Sequence, residues 1–270
     1  VDAMASVDVL DADACPRYTA RGLRGACAGP APAWMRKRLR LGGIRPISAA
    51  VDVTNYVLLE SGHPLHAFDL ERLHNGRIVV RRAREGETIA TLDGQTRALT
   101  PSMLVIADDE QPVAVAGVMG GAGSEIRDET RTILLESAHF DPATIRRASK
   151  ALGLSTESSY RFSRGTDPEN ADWASRRAAA LLVSIAGVEA APGVLDAYPA
   201  PRRPIEIECR PDRVNGLLGT DWPADRMKEL LRAIEVDVRD GPGGDAFTAV
   251  APSHRPDLRR EVDCIEEIAR

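Results

Sequence analysis

Residues 45–69 read RPISAAVDVTNYVLLESGHPLHAFD, and both the fold and the site turn on how this stretch folds. Val51–Val53 is a short β-branched apolar run, and its composition predicts a strand that delivers Thr54 and Asn55 at its end. A second polar element, His63-Pro64-Leu65-His66, follows, with His66 eleven residues beyond Asn55. Polar side chains at strand ends are where sites are commonly built. The residues also admit a plainer reading, in which Thr54-Asn55 is a turn and His66 a hydrogen-bonded structural histidine. The spacing alone leaves both open.

Outward from this stretch, the chain has 270 residues, 43% of them hydrophobic, enough to bury a core in one large domain or two smaller ones. Aromatic residues make up only 4%, so the core is expected to be aliphatic and small. The net charge of -5 argues against a surface that grips nucleic acid everywhere. Residues 201–270 hold 12 basic and 15 acidic groups and residues 1–200 hold 23 and 25, so neither part is a basic module and no DNA partner is expected. Any RNA contact falls to local clusters such as Arg36-Lys37-Arg38-Leu39-Arg40, Arg81-Arg82-Ala83-Arg84 or Arg146-Arg147, each of which reads first as a solvated face. Cys15, Cys27, Cys209 and Cys264 are scattered without a zinc or redox spacing, which points to a reducing cytoplasm. With no long apolar run and no signal-like start, neither membrane insertion nor secretion is expected. The closing stretch, Glu261–Arg270, reads as an amphipathic helix without a stop, and suggests a piece of a longer polypeptide.

Along the chain, residues 1–10 alternate weakly and suggest an edge strand. Trp34–Leu41 has helical spacing closed by Gly42-Gly43. Residues 77–84, 88–92, 103–108 and 112–119 are short β-branched runs, and Asp93-Gly94 between two of them is a two-residue hairpin signal. Asp141-Pro142 predicts a capped helix running to Gly153, and Ala171–Ala186 a second, ended by Gly187. The Pro-rich segment 198–204 marks a domain boundary. Beyond it come a strand over 205–209, a helix over about 223–234, a Gly-rich turn over 240–244, a strand over 247–250 and the last helix.

Three groups of residues can carry chemistry. Ala116-Gly117-Val118-Met119-Gly120-Gly121 follows an apolar strand and lets backbone approach a ligand, or is simply a tight turn. It lacks the GxGxxG and P-loop patterns, so no nucleotide site is read there. Ile133-Leu134-Leu135-Glu136 ends an apolar strand in a carboxylate that either faces a cavity or pairs with an arginine, for instance in Arg161-Phe162-Ser163-Arg164. Asp263, Glu266 and Glu267 share a helical face with Asp257 at the helix start. Carboxylates alone suit a hard ion such as Mg²⁺. On spacing alone, a helix cap at Asp257 with Arg259–Asp263 and Glu266–Arg270 pairs is the better reading. Nothing in the chain suggests a Ser-His-Asp or Cys-His nucleophile.

Five blocks, VDVTNYVLLESGHPLHAFD, VAGVMGGA from Val115, ILLESAHFDPA from Ile133, GLSTESSYRFSRGTDPE from Gly153 and PSHRPDLRREVDCIEEIAR from Pro252, resemble in order and spacing the bacterial phenylalanyl-tRNA synthetase beta subunit. The resemblance covers nearly the whole chain. It implies an editing module over residues 1–199 and part of a small winged-helix-like module over 204–270. The expected fold class is α+β: a mixed, largely antiparallel β-rich sheet with packed helices, then a smaller α+β unit.

In that family Glu136 would accept a hydrogen bond from the hydroxyl of tyrosine wrongly attached to tRNA(Phe). Thr54, Asn55 and His66 resemble the residues around the ester, and Ala116, Gly117, Gly120, Thr156 and Ser158 the pocket wall. His66 could act as base or orient water, whereas His63 and His139 are weaker participants and His74 an exposed turn residue. Asp257, Asp263, Glu266 and Glu267 match a Mg²⁺ site shared with the alpha subunit, expected to be empty or weak in this piece alone. The whole enzyme would be an α₂β₂ ligase using ATP, not bound by this piece, with aminoacylation on the alpha subunit. Ser158, Tyr160 and Ser163 depart from the family's usual alanine, histidine and glutamate, which leaves open a non-catalytic assembly or tRNA-docking module with a decayed pocket.

Overall fold

The computed structural model describes residues 1–25, 29–241 and 246–270. Contacts divide the chain into two compact units, Val1–Pro201 and Arg202–Arg270. The first unit opens with β1 (Ser6–Val9), β2 (Arg17–Arg24), α1 (Ala33–Leu41), α2 (Ala49–Ser61), β3 (Leu65–Asp69) and β4 (Arg77–Arg82). There follow β5 (Thr88–Ala90), β6 (Thr96–Ala98), β7 (Leu104–Ala107), β8 (Pro112–Val115), β9 (Met119–Gly120) and β10 (Thr132–His139). It closes with α3 (Pro142–Leu152), α4 (Glu157–Phe162), α5 (Asn170–Ala186), β11 (Glu189–Ala190) and β12 (Leu195–Ala197).

Two sheets are stacked. One has the order β1-β4-β7-β8-β9, with β1 parallel to β4 at its edge and the other pairs antiparallel. The other has the order β11-β2-β10-β3, with β12 also on β2, and is antiparallel throughout. The two-residue side-chain period divides β10 between two cores. Leu134 and Ala138 face the first sheet with Tyr18 and Phe68. Ile133 and Leu135 face α1, α2 and α5 through Met35, Leu39, Val53, Val57, Ala174, Ala178 and Leu182. Four alanines on the buried side of α5 keep it close to the sheet. Glu136 shares the parity of Leu134 and Ala138, so its carboxyl is carried toward the core between the sheets, in the middle of β10 rather than at a strand end.

The strand expected at Val51–Val53 is part of α2. The deciding pattern is the longer one: Ala50, Val53 and Val57 recur at helical spacing and are fully buried against the second sheet. Thr54 tolerates the helix by donating its hydroxyl to the Val51 carbonyl at 2.8 Å, and Asp52 accepts the Ile47 N–H at 2.7 Å ahead of the first turn. Gly62 ends the helix in the left-handed region, φ 71°. The Asp93-Gly94 hairpin joins β5 to β6, but through a three-residue loop: Thr91 N–H bonds the Gln95 carbonyl, and Gly94, φ 79°, bonds back to Thr91. Asp141 caps α3 through the Thr144 N–H, with Pro142 in the first turn and Gly153 at the stop.

The second unit contains β13 (Ile205–Cys209), α6 (Pro211–Leu218), α7 (Ala224–Ala233), β14 (Asp237–Asp240), β15 (Phe247–Ala251) and α8 (Glu261–Ala269). Its sheet, β13-β15-β14, is antiparallel. α6 and β14 are not foreshadowed by any strong local signal, and the Gly-rich turn lies largely outside the described residues. Phe247, Met227, Leu231 and Ile265 build its core. Cys209 and Cys264 meet there, thiol to thiol, although nothing in their spacing suggests it. No helix among the described residues is long and apolar enough to cross a membrane.

Candidate active site

The first unit holds two adjoining cavities. The larger, about 530 Å³, is lined by Thr54 and Asn55 from α2, His66 from β3, Gly120 from β9, and Thr156 and Ser158 at the start of α4. The smaller, about 50 Å³, shares His66, Gly120 and Ser158 with it and continues to Gly117, Phe162 and Glu136. A wide chamber thus leads to a narrow recess, and the recess ends at a carboxyl group.

Backbone constraints shape the recess. Gly117 sits at φ 65°, and a Cβ there would stand 3.0 Å from both Ile145 Cδ1 and Phe140 Cδ2. Gly120 needs no special torsion, but a Cβ would meet His66 Cε1 at 2.6 Å and Nε2 at 2.9 Å. Its missing side chain is what lets the imidazole lie against the loop. Thr156 fixes the opposite wall. Its hydroxyl donates to the Val118 carbonyl at 2.8 Å and accepts the Ser159 N–H at 3.0 Å, so the cap of α4 is tied to the glycine loop.

Glu136 is 6% exposed and pairs across the sheet with His66 on β3 and Ala20 on β2. Its Oε2 has no hydrogen-bond partner among the described residues. Burial pushes the carboxyl up to about 8, opposed only by the nearby Tyr18 hydroxyl, which stands outside good hydrogen-bond geometry. Among the described residues no arginine reaches it, so the salt-bridge alternative fails. A carboxyl held neutral at pH 7 has one O–H donor and keeps an acceptor oxygen, and the ionised form accepts at both oxygens. Either form can take a hydrogen bond from a hydroxyl placed in the recess.

His66 is buried, which lowers its imidazole to about 4, and Nε2 is without a partner among the described residues. Its ring stands edge-on to Phe68 at 4.5 Å. A neutral ring this hard to protonate suits hydrogen bonding to water or substrate better than holding a proton. His63 is pushed lower still, to about 3, by burial and then by His139. It packs on Phe162 at 6.3 Å and so stands behind the recess wall, not in it. His139 Nδ1 lies 3.0 Å from Thr166 Oγ1, and His74 is an exposed turn residue beside Glu110.

Two expectations are displaced. Ala116 is fully buried between the sheets and lines neither cavity. After the Gly117 turn the loop itself forms the wall: Gly117 through Gly120 line the recess, and Val118, Met119 and Gly120 also line the chamber. Of the three departures from the family pattern, only Ser158 lines the cavities. Tyr160 is exposed beneath the Arg164 guanidinium, and Ser163 bonds the Tyr160 carbonyl. Ile47, Leu92 and Arg127 also line the chamber, and Tyr18 stands beside Glu136. No sequence signal singled these out: Leu92, Arg127 and Tyr18 come from segments outside the motifs, and Ile47, although it lies in the opening stretch, is an ordinary apolar residue there.

The four carboxylates of the second unit do not converge. Arg255 bonds both Asp257 and Glu267 at 2.7 Å, Glu266 lies 3.7 Å from Arg270, and Asp263 accepts the N–H groups of Arg259 and Arg260. The cap of α8 is therefore Asp263, not Asp257. Among the described residues no group of three or more His, Cys, Asp or Glu side chains could hold a metal ion. With a guanidinium already between two of its supposed ligands, this chain's donor set does not fit Mg²⁺.

Comparison with known proteins agrees with the motif resemblance. Residues 14–187 match the B3/4 domain, and residues 207–270 the tRNA synthetase B5 domain. The phenylalanine-tRNA ligase beta subunit of Moorella thermoacetica is 51% identical over 100% of this chain, and that of Geobacter sulfurreducens is 52% identical over 98%. The beta subunit of Thermotoga maritima is 43% identical over 100%. The chain spans about a third of the length of these relatives, 33%, 33% and 34%. An N-terminal fragment of the phenylalanyl-tRNA synthetase beta-subunit from Pyrococcus horikoshii has 12% identity and a TM-score of 0.46, covering 98% of this chain and 73% of that one, too slight a likeness to carry an argument.

Proposed function

The chain belongs to the B3/4 domain family, its B3/4 part continuing into a tRNA synthetase B5 domain, and from that premise we propose that the chamber and recess of the first unit edit tyrosyl-tRNA(Phe) by hydrolysis. The observation that carries this reading is the buried, unpaired carboxyl of Glu136 at the end of a narrow, otherwise mostly apolar recess. Burying such a group without a partner costs stability, and a hydroxyl brought by a ligand would relieve that cost.

The need for such a site is physical. A synthetic pocket built for phenylalanine rejects an analogue that only adds a hydroxyl by about a hundredfold. A site that hydrogen-bonds the hydroxyl discriminates in the opposite sense by roughly ten-thousandfold, because phenylalanine leaves its polar atoms unpaired. The phenol would occupy the recess and its ester the chamber, between α2 and α4. Water adds to the ester carbonyl carbon, the bond to the ribose oxygen breaks, and that oxygen takes a proton, releasing tyrosine and tRNA. His66, Thr54 and Asn55 orient water and ester, a contribution through positioning that needs no covalent intermediate. Within the complete enzyme, aminoacylation with ATP and Mg²⁺ falls to the alpha subunit of an α₂β₂ assembly in the cytoplasm.

A non-catalytic docking role draws support from Ser158, which adds a hydroxyl to both cavities. One experiment separates the two: release of tyrosine from pre-charged tyrosyl-tRNA(Phe), by this chain and by the α₂β₂ enzyme. Tyrosine is expected to be released at least about a hundredfold faster than phenylalanine from its own tRNA(Phe) ester, with the preference lost in Glu136→Ala. Rates equal to buffer alone in both preparations would leave the docking role as the better account.

A further inference from the structure

Between Pro16 and Val51 the chain carries eight basic residues and no acidic one, within a molecule of net charge -5. Five of the eight, Arg36, Lys37, Arg38, Arg40 and Arg45, lie on α1 and the turn that follows it. Burial sorts this segment cleanly. Met35 and Leu39 are fully buried in the helical core, whereas Lys37, Arg38, Arg40 and Arg45 are exposed.

Arg38 is engaged locally, donating to the Tyr56 hydroxyl at 2.7 Å and lying over the Trp34 ring. Lys37, Arg40 and Arg45 have no acidic partner among the described residues. Elsewhere many surface arginines are paired, as Arg77 is with Asp8 and Asp109 and Arg210 with Glu261, whereas here three unpaired cations fall within nine residues of one another. Like charges left adjacent on one short helix repel, and they are favourable only when an anion arrives from outside.

The strip also has a direction. From Arg45 the chain runs straight to Ile47 and Ser48, which line the 530 Å³ chamber, and Ile47 is 65% exposed at its mouth. At the other end Trp34 is 44% exposed, a flat ring set edge-on to Tyr56 at 5.4 Å. Unpaired cations interleaved with an exposed aromatic are the ingredients of single-strand RNA binding, in which charge holds phosphates and a ring stacks a base. A partner that was merely acidic would have no use for Trp34.

We propose that the exposed face of α1, with Arg45, is the track along which the sugar-phosphate backbone of an RNA is held as its 3′ end enters the chamber. This rests on the editing reading for the identity of the RNA. Lys37 and Arg40 sit one turn apart on the same face, and a helix of this length, about 14 Å, serves only a few phosphates.

The test measures binding of uncharged, fluorescein-labelled tRNA(Phe) to the chain by anisotropy across salt, so it does not depend on ester hydrolysis. Lys37→Ala, Arg40→Ala and Arg45→Ala combined should flatten the log–log salt dependence by about 2, from ~0.7 per lost single-strand contact, and weaken binding at least about tenfold at low salt. Trp34→Ala should weaken binding about tenfold with the slope unchanged. Far-ultraviolet circular dichroism melts verify that both variants remain folded. Equal affinity and slope in the triple variant, or no binding by the unaltered chain, would overturn the proposal. So would displacement of the RNA by polyglutamate as readily as by unlabelled tRNA. Absence of tyrosine release by both this chain and the α₂β₂ enzyme, alongside the expected change in slope, would overturn the editing reading and leave this surface standing.

Discussion

Glu136 is the residue at which stability and function oppose each other. Its carboxyl titrates at about 8 in the folded chain against 4.5 as a free side chain. Between those values the folded state holds a proton that the unfolded state has lost. The stabilisation from this proton is therefore complete below pH 4.5 and disappears as the pH rises through 8, at roughly 1.4 kcal/mol per pH unit in between. Glu136→Gln keeps the shape and removes the titration. In urea unfolding at pH 5, 6.5 and 8, the variant should gain on the unaltered protein by about that slope; parallel curves would mean that the carboxyl is solvated. His63 and His66 act in the other direction. Their folded values of about 3 and 4 lie below 6.5, so their contribution is present above pH 6.5 and lost on acidification. The two effects together place the stability maximum contributed by these three groups near pH 6.5.

At the scale of elements, what could be read in advance was what local chemistry decides. Asp141, Pro142 and Gly153 announce α3, Gly187 ends α5, and the β-branched runs from Arg77 to Val115 form strands. α2 was obscured because Val51–Val53 has strand composition over three residues, while the helical period emerges only over Ala50–Val57 and acts through burial on a sheet formed by distant segments. The glycine loop was legible as a loop, but its reason for having glycine at position 120 was not, since the atom in the way belongs to His66 on β3. That reason is testable. Gly120→Ala should force His66 aside, lower tyrosine release at least about tenfold and cost ~1–3 kcal/mol in thermal melts, as small-to-large changes in packed sites do. Gly123→Ala, whose Cβ meets nothing within 4 Å, provides the comparison expected to be silent. Equal tyrosine release from the two variants would remove the loop–histidine contact from the account of the site.

At the scale of the molecule, the two units carry separate cores, and the first sheet-and-helix unit contains the whole candidate site. The Glu136 carboxyl was legible as a candidate from its motif, yet that it stays unpaired in a chain with 35 basic residues became apparent only from the three-dimensional packing, which gives the buried Arg17 to Asp196 and Glu169 and the buried Arg81 to Glu87. The second unit is small enough that a single core side chain matters. Phe247 is fully buried at the centre of its hydrophobic cluster. Removing a buried phenylalanine side chain costs ~3–5 kcal/mol, about as much as the core of a unit this small supplies. Phe247→Ala should therefore unfold the second unit at room temperature while the first keeps its melting transition and its tyrosine release. Loss of both transitions together, followed by calorimetry with circular dichroism, would mean that the units fold as one cooperative body, and the recess around Glu136 would then owe part of its rigidity to residues beyond Pro201.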